Sequence, residues 1–268
     1  KDMPLFTNIK SFDKSFLLKL WLSLILYQLS VCPVSAQKDT MDIKDYILII
    51  NTYTESFPWS NRLISTATNF VKDDPKLAVY TEHMNMIMID NDSILDQFKD
   101  SLFDRYGSHR PRMLLLLGNS SLILKDDLRK MWGDIPMVLC AGKDYTGPEH
   151  YYLTKQPIPL SERVPLAELS QSCNLTYLYA NLYIHENVEM MFRTLPRMKR
   201  FIYVGDERFV NQVNSQEIQE ILRTKHPDVH YTFLSSRDIK KTNQLIDSLN
   251  FVDPRTTGIL FSSWFHKR

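Results

Sequence analysis

The run Tyr46-Ile47-Leu48-Ile49-Ile50 constrains this chain more than any other feature. It is continuously apolar and bounded by Asp45 and Asn51, too short for an amphipathic helix and without the alternation of a half-exposed strand. Such a run is expected to be a central parallel strand, covered on both faces. The theme then repeats. Residues 61–71 carry Leu63, Ile64, Ala67 and Phe70 at helical spacing, and residues 77–80 read as a second strand. Residues 94–106 read as a helix with Leu95, Phe98, Leu102 and Phe103 on one face. A third strand follows at 113–117, a helix at 126–132 and a fourth strand at 136–140. Strands and helices in strict alternation predict an α/β fold with a doubly wound parallel sheet.

Residues 143–183 break the rhythm: Pro148, Pro157, Pro159 and Pro165 interrupt a tyrosine-rich stretch with no helical period. Helices at 186–195, 215–224 and 239–249 then alternate with strands at 200–204, 229–234 and 258–262. The pattern predicts two α/β lobes, 45–183 and 184–268, joined near residues 175–186. The second lobe is expected to be incomplete, because its last strand ends almost at Arg268.

Residues 1–36 have the character of a targeting segment. Lys10, Lys14 and Lys19 accompany an apolar run over 16–34, and Val34-Ser35-Ala36 supplies the small residues of a cleavage site. The segment reads as a signal peptide or, being close to the length that spans a bilayer, as an N-terminal membrane anchor. The domain is therefore expected on the periplasmic or extracytoplasmic face of the cytoplasmic membrane. Export permits a disulfide between Cys140 and Cys173, while a buried thiol fits the apolar strand around Cys140 equally well.

Several activities are disfavoured. With 32 basic against 31 acidic residues and a net charge of +1, the chain lacks the basic excess of a nucleic-acid binder. Only seven glycines occur, with no G-x-G-x-x-G, no G-x-x-x-x-G-K-S/T and no G-x-S-x-G, and the histidines lack metal-ligand spacing. A binding domain is expected, without cofactor, metal or catalytic residue. In open α/β sheets ligands sit beyond the carboxyl ends of the strands, so the loops there hold the candidates. The first, residues 51–60, offers Tyr53, Thr54, Phe57 and Trp59, with Ser60 or a neighbour capping the next helix. Glu82 follows the second strand, as a ligand contact or as an acceptor for backbone amides of the first loop. Asn119 follows the third strand and Gly142 the fourth. Asp206 follows the strand at 200–204, as a ligand contact or a helix cap, and Ser263-Trp264 could face the same cleft.

The loop Asn51 to Ser60 resembles the N-S-Y-x-x-x-x-P-W-T signature of a periplasmic-binding-protein-like family, related to type I substrate-binding proteins and frequent as the sensing domain of membrane histidine kinases. Val79-Tyr80-Thr81-Glu82-His83-Met84 resembles that family's V-Y-x-E-Y-x segment, and Pro136-Met137-Val138-Leu139-Cys140-Ala141-Gly142 its P-V-V-F-C-G strand. Arg200-Phe201-Ile202-Tyr203-Val204-Gly205-Asp206 resembles the strand that opens its second lobe. The resemblance runs from about Asp45 to Trp264. Thr52 stands where the family has serine, Thr54 where histidine is frequent, and Asn119-Ser120-Ser121 where acidic residues are common. It implies two lobes closing on a small-molecule ligand, in an extracytoplasmic sensing domain of a two-component sensor histidine kinase. Membrane attachment through the N-terminal segment, a kinase region beyond Arg268 and room for a homodimer come with that reading. The alternative is a substrate-binding protein of an ABC-type transporter.

Overall fold

In a computed structural model, which describes residues 45–236 and 238–263, the apolar runs of the first half pair into one parallel sheet. Its strands are β1 (Tyr46–Asn51), β2 (Ala78–His83), β3 (Met113–Leu117), β4 (Met137–Ala141) and β7 (Leu175–Tyr179), in the order β2-β1-β3-β4-β7. Successive side chains of a strand point to opposite faces. Leu48, Ile49 and Ile50 are all fully buried, so both faces of β1 are covered. On one face Ile49, Leu117 and Cys140 pack against Leu63, Ile64 and Ala67 of helix α1 (Pro58–Val71). Helices α2 (Asp92–Tyr106) and α3 (Lys125–Trp132) fill the next two crossovers, α3 after a 3-10 turn at Asn119–Leu124. The result is a Rossmann-like α/β fold with a mostly parallel central sheet. Residues 1–36, expected from sequence to be a targeting segment, and Trp264 lie outside the described residues.

The irregular stretch holds more structure than its sequence suggests. A short antiparallel ribbon pairs β5 (Tyr145–Thr146) with β6 (Val164–Pro165), and helices α4 (Glu149–Thr154) and α5 (Leu166–Ser172) flank it. Strand β7, absent from the sequence reading, lines up with β4 at the sheet edge. Edge strands bury one side only, which removes the continuous apolar run that betrays a central strand. Leu175 is buried, whereas Leu178 and Tyr179 are exposed.

A second parallel sheet, of order β10-β8-β9, follows: β8 (Arg200–Val204), β9 (His230–Leu234) and β10 (Thr257–Phe261). Helices α6 (Ile184–Thr194), α7 (Phe209–Lys225) and α8 (Ile239–Ser248) connect with it. Its core joins Ile184, Val188, Phe201, Tyr203, Ile218 and Leu222. Helix α7 begins six residues before the predicted start at 215, because Asn211 and Asn214, polar in sequence, are buried along it. Cys140 and Cys173 are both buried free thiols, so no disulfide joins them.

At the amino-terminal side of the first sheet Tyr46 is buried, donates its phenol to the His109 carbonyl, and packs on Tyr80 and Tyr106. Burial pushes this phenol up to about 12, with Tyr80 adding to the rise. A tyrosine whose pKa is higher folded than unfolded stabilises the fold below its unfolded value and loses that contribution as pH climbs through the folded one. Tyr46→Phe is expected to cost about 1 kcal/mol at neutral pH from the lost hydrogen bond. It should also flatten the decline in stability between pH 10 and 12, read by urea unfolding at successive pH values.

Candidate functional site

Parallel strands in register deliver all their following loops to one end. The loops after β1, β2, β3, β4, β7, β8 and β10 together line one cleft, seen as two adjoining cavities of about 80 and 360 Å³. Tyr53, Phe57, Gly142, Arg208 and Val210 border both. The cleft thus draws its walls from both sheets. It opens beside the gap between β1 and β3, where the order of the first sheet reverses, the usual ligand position in such sheets.

The junction of β1 and β3 sets the floor. Thr52 sends both its backbone N–H (3.1 Å) and its hydroxyl (2.8 Å) to the Leu117 carbonyl. Gly118 follows with φ +94°, and a Cβ there would lie 2.4 Å from Thr52 Oγ1 and within 3.4 Å of the Tyr53 ring. Only glycine accepts both the angle and the contact. Asn51, fully buried, holds the same loop: its Oδ1 accepts from the Tyr53 N–H, and its Nδ2 reaches Ser60 Oγ and His83 Nδ1.

Tyr53 carries an aromatic wall. Its ring stacks on Phe57 at 4.3 Å between centroids and meets Trp59 edge-on at 5.6 Å. The Arg208 guanidinium covers the Phe57 ring from the second sheet, at 5.2 Å. Burial pushes the Tyr53 phenol above its ordinary range, with Arg208 and Thr52 pulling it back part of the way. The phenol is neutral and remains a hydrogen-bond donor at physiological pH.

The sequence candidates divide by role. Tyr53, Thr54, Phe57, Asn119 and Gly142 line the smaller cavity, and Trp59 borders the larger one. Trp59 stands in the first turn of α1, whose start is Phe57 with no side-chain cap; Ser60, proposed as the cap, is a buried partner of Asn51. Asn119 spends its amide on the backbone: Nδ2 donates to the carbonyls of Lys143 and Tyr145, and Oδ1 accepts from the N–H groups of Gly142 and Lys143. It shapes the wall rather than greeting a ligand. Glu82 does not border the cleft; its carboxylate accepts from Tyr106 and Arg105 behind the sheet. Asp206 does not line it either. Buried and bonded to the Arg208 N–H and guanidinium and to Asn211, it aims Arg208 into the cleft.

The remaining wall residues had no local signature. Arg208 lies four residues past β8, two residues beyond the Asp206 that the sequence singles out. Lys143 pairs with Glu217 of α7 at 2.8 Å. Lys155 is buried with φ +60°, its ammonium held by the carbonyls of Ile89 and Tyr152. Tyr152 is buried as well and contacts Phe209 across the cleft at 4.6 Å. Asn85 Oδ1 in the smaller cavity and Asn214 Oδ1 in the larger are buried with no hydrogen-bond partner among the described residues. No group of three or more His, Cys, Asp or Glu among the described residues is placed to hold a metal, and no described helix is long and apolar enough to cross a membrane. No family model, curated protein or solved structure matches this chain.

Two glycines on the floor and wall make a matched test. Gly118→Ala should destabilise the fold by about 1–3 kcal/mol, the usual cost of a strained backbone residue. At Gly142 an added Cβ meets nothing within 4 Å, so Gly142→Ala should leave stability within about 0.5 kcal/mol. Equilibrium urea melts of both variants check the contrast.

Proposed function

We propose that this domain binds a small molecule in the cleft between its two sheets and signals by closing the two α/β lobes around it. On this reading it is the extracytoplasmic sensing domain of a two-component sensor histidine kinase, with the lobes arranged as in type I periplasmic binding proteins. One observation carries the proposal: the residues that join the two sheets across the cleft are also the residues that line it. Arg208 over Phe57, Phe209 against Tyr152, and Lys143 paired with Glu217 bridge the sheets. Arg208, Phe57, Phe209, Tyr152 and Lys143 all face the cavity. A ligand seated there would contact both sides at once and favour the closed arrangement by its differential affinity for it.

The loop resemblance at 51–60 and the apolar run at 16–34 support the extracytoplasmic and sensory parts of the reading. The test is a thermal-shift screen of the 268-residue chain against small metabolites, followed by small-angle scattering with and without each hit. Hits should raise the melting temperature and reduce the radius of gyration. Ligands that stabilise the chain without compacting it would remove closure from the reading. Tyr53→Ala and Trp59→Ala should each weaken a hit's affinity, by about tenfold for loss of a well-packed aromatic contact, with circular dichroism unchanged. Equal affinity for both variants by calorimetry would take the 51–60 loop out of the site.

A further inference from the structure

We infer that the larger of the two cavities takes an uncharged molecule built on a flat ring. The inference rests on the cleft being the binding site, and it concerns what that site selects. Among the described residues that line this cavity, Arg208 alone carries a charge, and the buried Asp206 pairs with it at 2.8 Å. That charge is neutralised inside the wall. The two lysines of the smaller cavity are engaged as well: Lys143 meets Glu217, and the buried Lys155 is held by the carbonyls of Ile89 and Tyr152. A charged ligand would leave water for a compartment whose charges already have partners, and that exchange is unfavourable. A neutral one loses nothing by it.

Hydrogen-bonding groups of the same wall are committed to one another. The Tyr203 hydroxyl donates to Asn211 and accepts from Asn214 Nδ2, and Ser263 Oγ accepts from Arg208. A wall that read ligand hydroxyls would need donors and acceptors turned to the ligand, and these are turned to each other. Apolar surface makes up the rest. Trp59, Leu182 and Phe261 border the cavity and are 36%, 39% and 61% exposed. They come from α1, from the connection between β7 and α6, and from the end of β10. Three separate segments thus bring large apolar side chains to one water-covered place, and such clusters mark binding surfaces. Tyr53 and Phe57 lie nearly parallel, at 15°, while Trp59 meets Tyr53 at 76°. A flat ring can therefore find both a face to stack on and an edge to meet. The paired guanidinium of Arg208 adds a further flat, weakly hydrated surface. A volume of about 360 Å³ stands at the low end for small-molecule sites and suits about one or two fused rings.

The test uses fused rings that differ in charge or in flatness. 2-Naphthol, decahydro-2-naphthol, 2-naphthoate and 2-naphthylmethylamine, with glucose as a hydroxyl-rich neutral ring, are titrated calorimetrically into the 268-residue chain. 2-Naphthol should bind at least about tenfold more tightly than either charged ring, with an affinity that stays level as salt rises. It should bind about two- to tenfold more tightly than its saturated counterpart, and glucose should give no binding heat. Leu182→Ser and Phe261→Ser alter exposed side chains, so circular dichroism should be unchanged while 2-naphthol affinity falls about three- to tenfold in each. Equal or tighter binding of a charged ring, of the saturated ring or of glucose overturns the inference and leaves the cleft as a binding site. Unchanged 2-naphthol affinity in both variants also overturns it, because the ring is then bound elsewhere. If 2-naphthol gives no heat the inference falls; whether the cleft reading falls with it is read from the metabolite screen, which fails separately.

Discussion

Gly118 has no side chain, and the ring of Tyr53 stands beside the space where one would be. That contact fixes the site. Leu117, the last residue of β3, spends its carbonyl on Thr52, so the exit of β1 is bonded to the exit of β3 before either loop departs. Tyr53 follows at once and can only rise away from the sheet. Phe57 stacks on it, and the Pro58 start of α1 then sets the angle at which Trp59 arrives. The chain between Asn51 and Pro58 is held along its length by Thr52 on the Leu117 carbonyl and by Asn51 on the Tyr53 N–H and Ser60. Asn119, one residue past Gly118, extends the same logic sideways by tying the β3 exit to the β4 exit through four backbone bonds.

The contacts that cross from one sheet to the other are of a weaker kind. Lys143 pairs with a Glu217 side chain that is 41% exposed, and such pairs contribute roughly 0–1 kcal/mol. A guanidinium over an aromatic face adds about 0.5–2 kcal/mol. These sit against floors whose buried strands and amide networks are far more expensive to disturb. The rigid parts therefore lie within each sheet and the compliant part between them. Were the sheets to close on a ligand as proposed, a few kcal/mol of binding would be enough to bias an equilibrium of that size.

How much of this was legible in the sequence follows from how each residue is determined. Strands β1, β3, β4 and β8 announce themselves because both faces are buried, so the whole run must be apolar. Strand β7 does not, since Thr176 and Tyr177 interrupt the apolar run between Leu175 and Leu178 on a largely exposed edge. Tyr53 and Phe57 were legible because a strand end and a helix start bracket them within a few residues. Asn119 was found for the right place and the wrong reason: its loop position is local information, but the carbonyls that consume its amide come from residues 24 and 26 positions away. The partners of Glu82 were out of local reach for the same cause, since they sit on α2, 23 and 24 residues on, and not in the first loop. Lys155 carried no signal at all. A lysine after a short helix among prolines reads as surface, and only the packing of α4 against the loop after β2 buries it.

Arg208 takes part in the contacts of both sheets. Asp206 orients it through its N–H and its guanidinium, Ser263, two residues past β10, accepts from it, and its guanidinium lies over Phe57. It is therefore at once a part of the second sheet's frame, a wall of the cleft and a bridge to the first sheet. A ligand group that engages the guanidinium competes with, or reinforces, the contact on Phe57 without leaving the same side chain. On the proposed reading, recognition and closure would be carried by the same side chain: the chemistry a ligand presents to Arg208 would bear on how far the second sheet is drawn toward Tyr53.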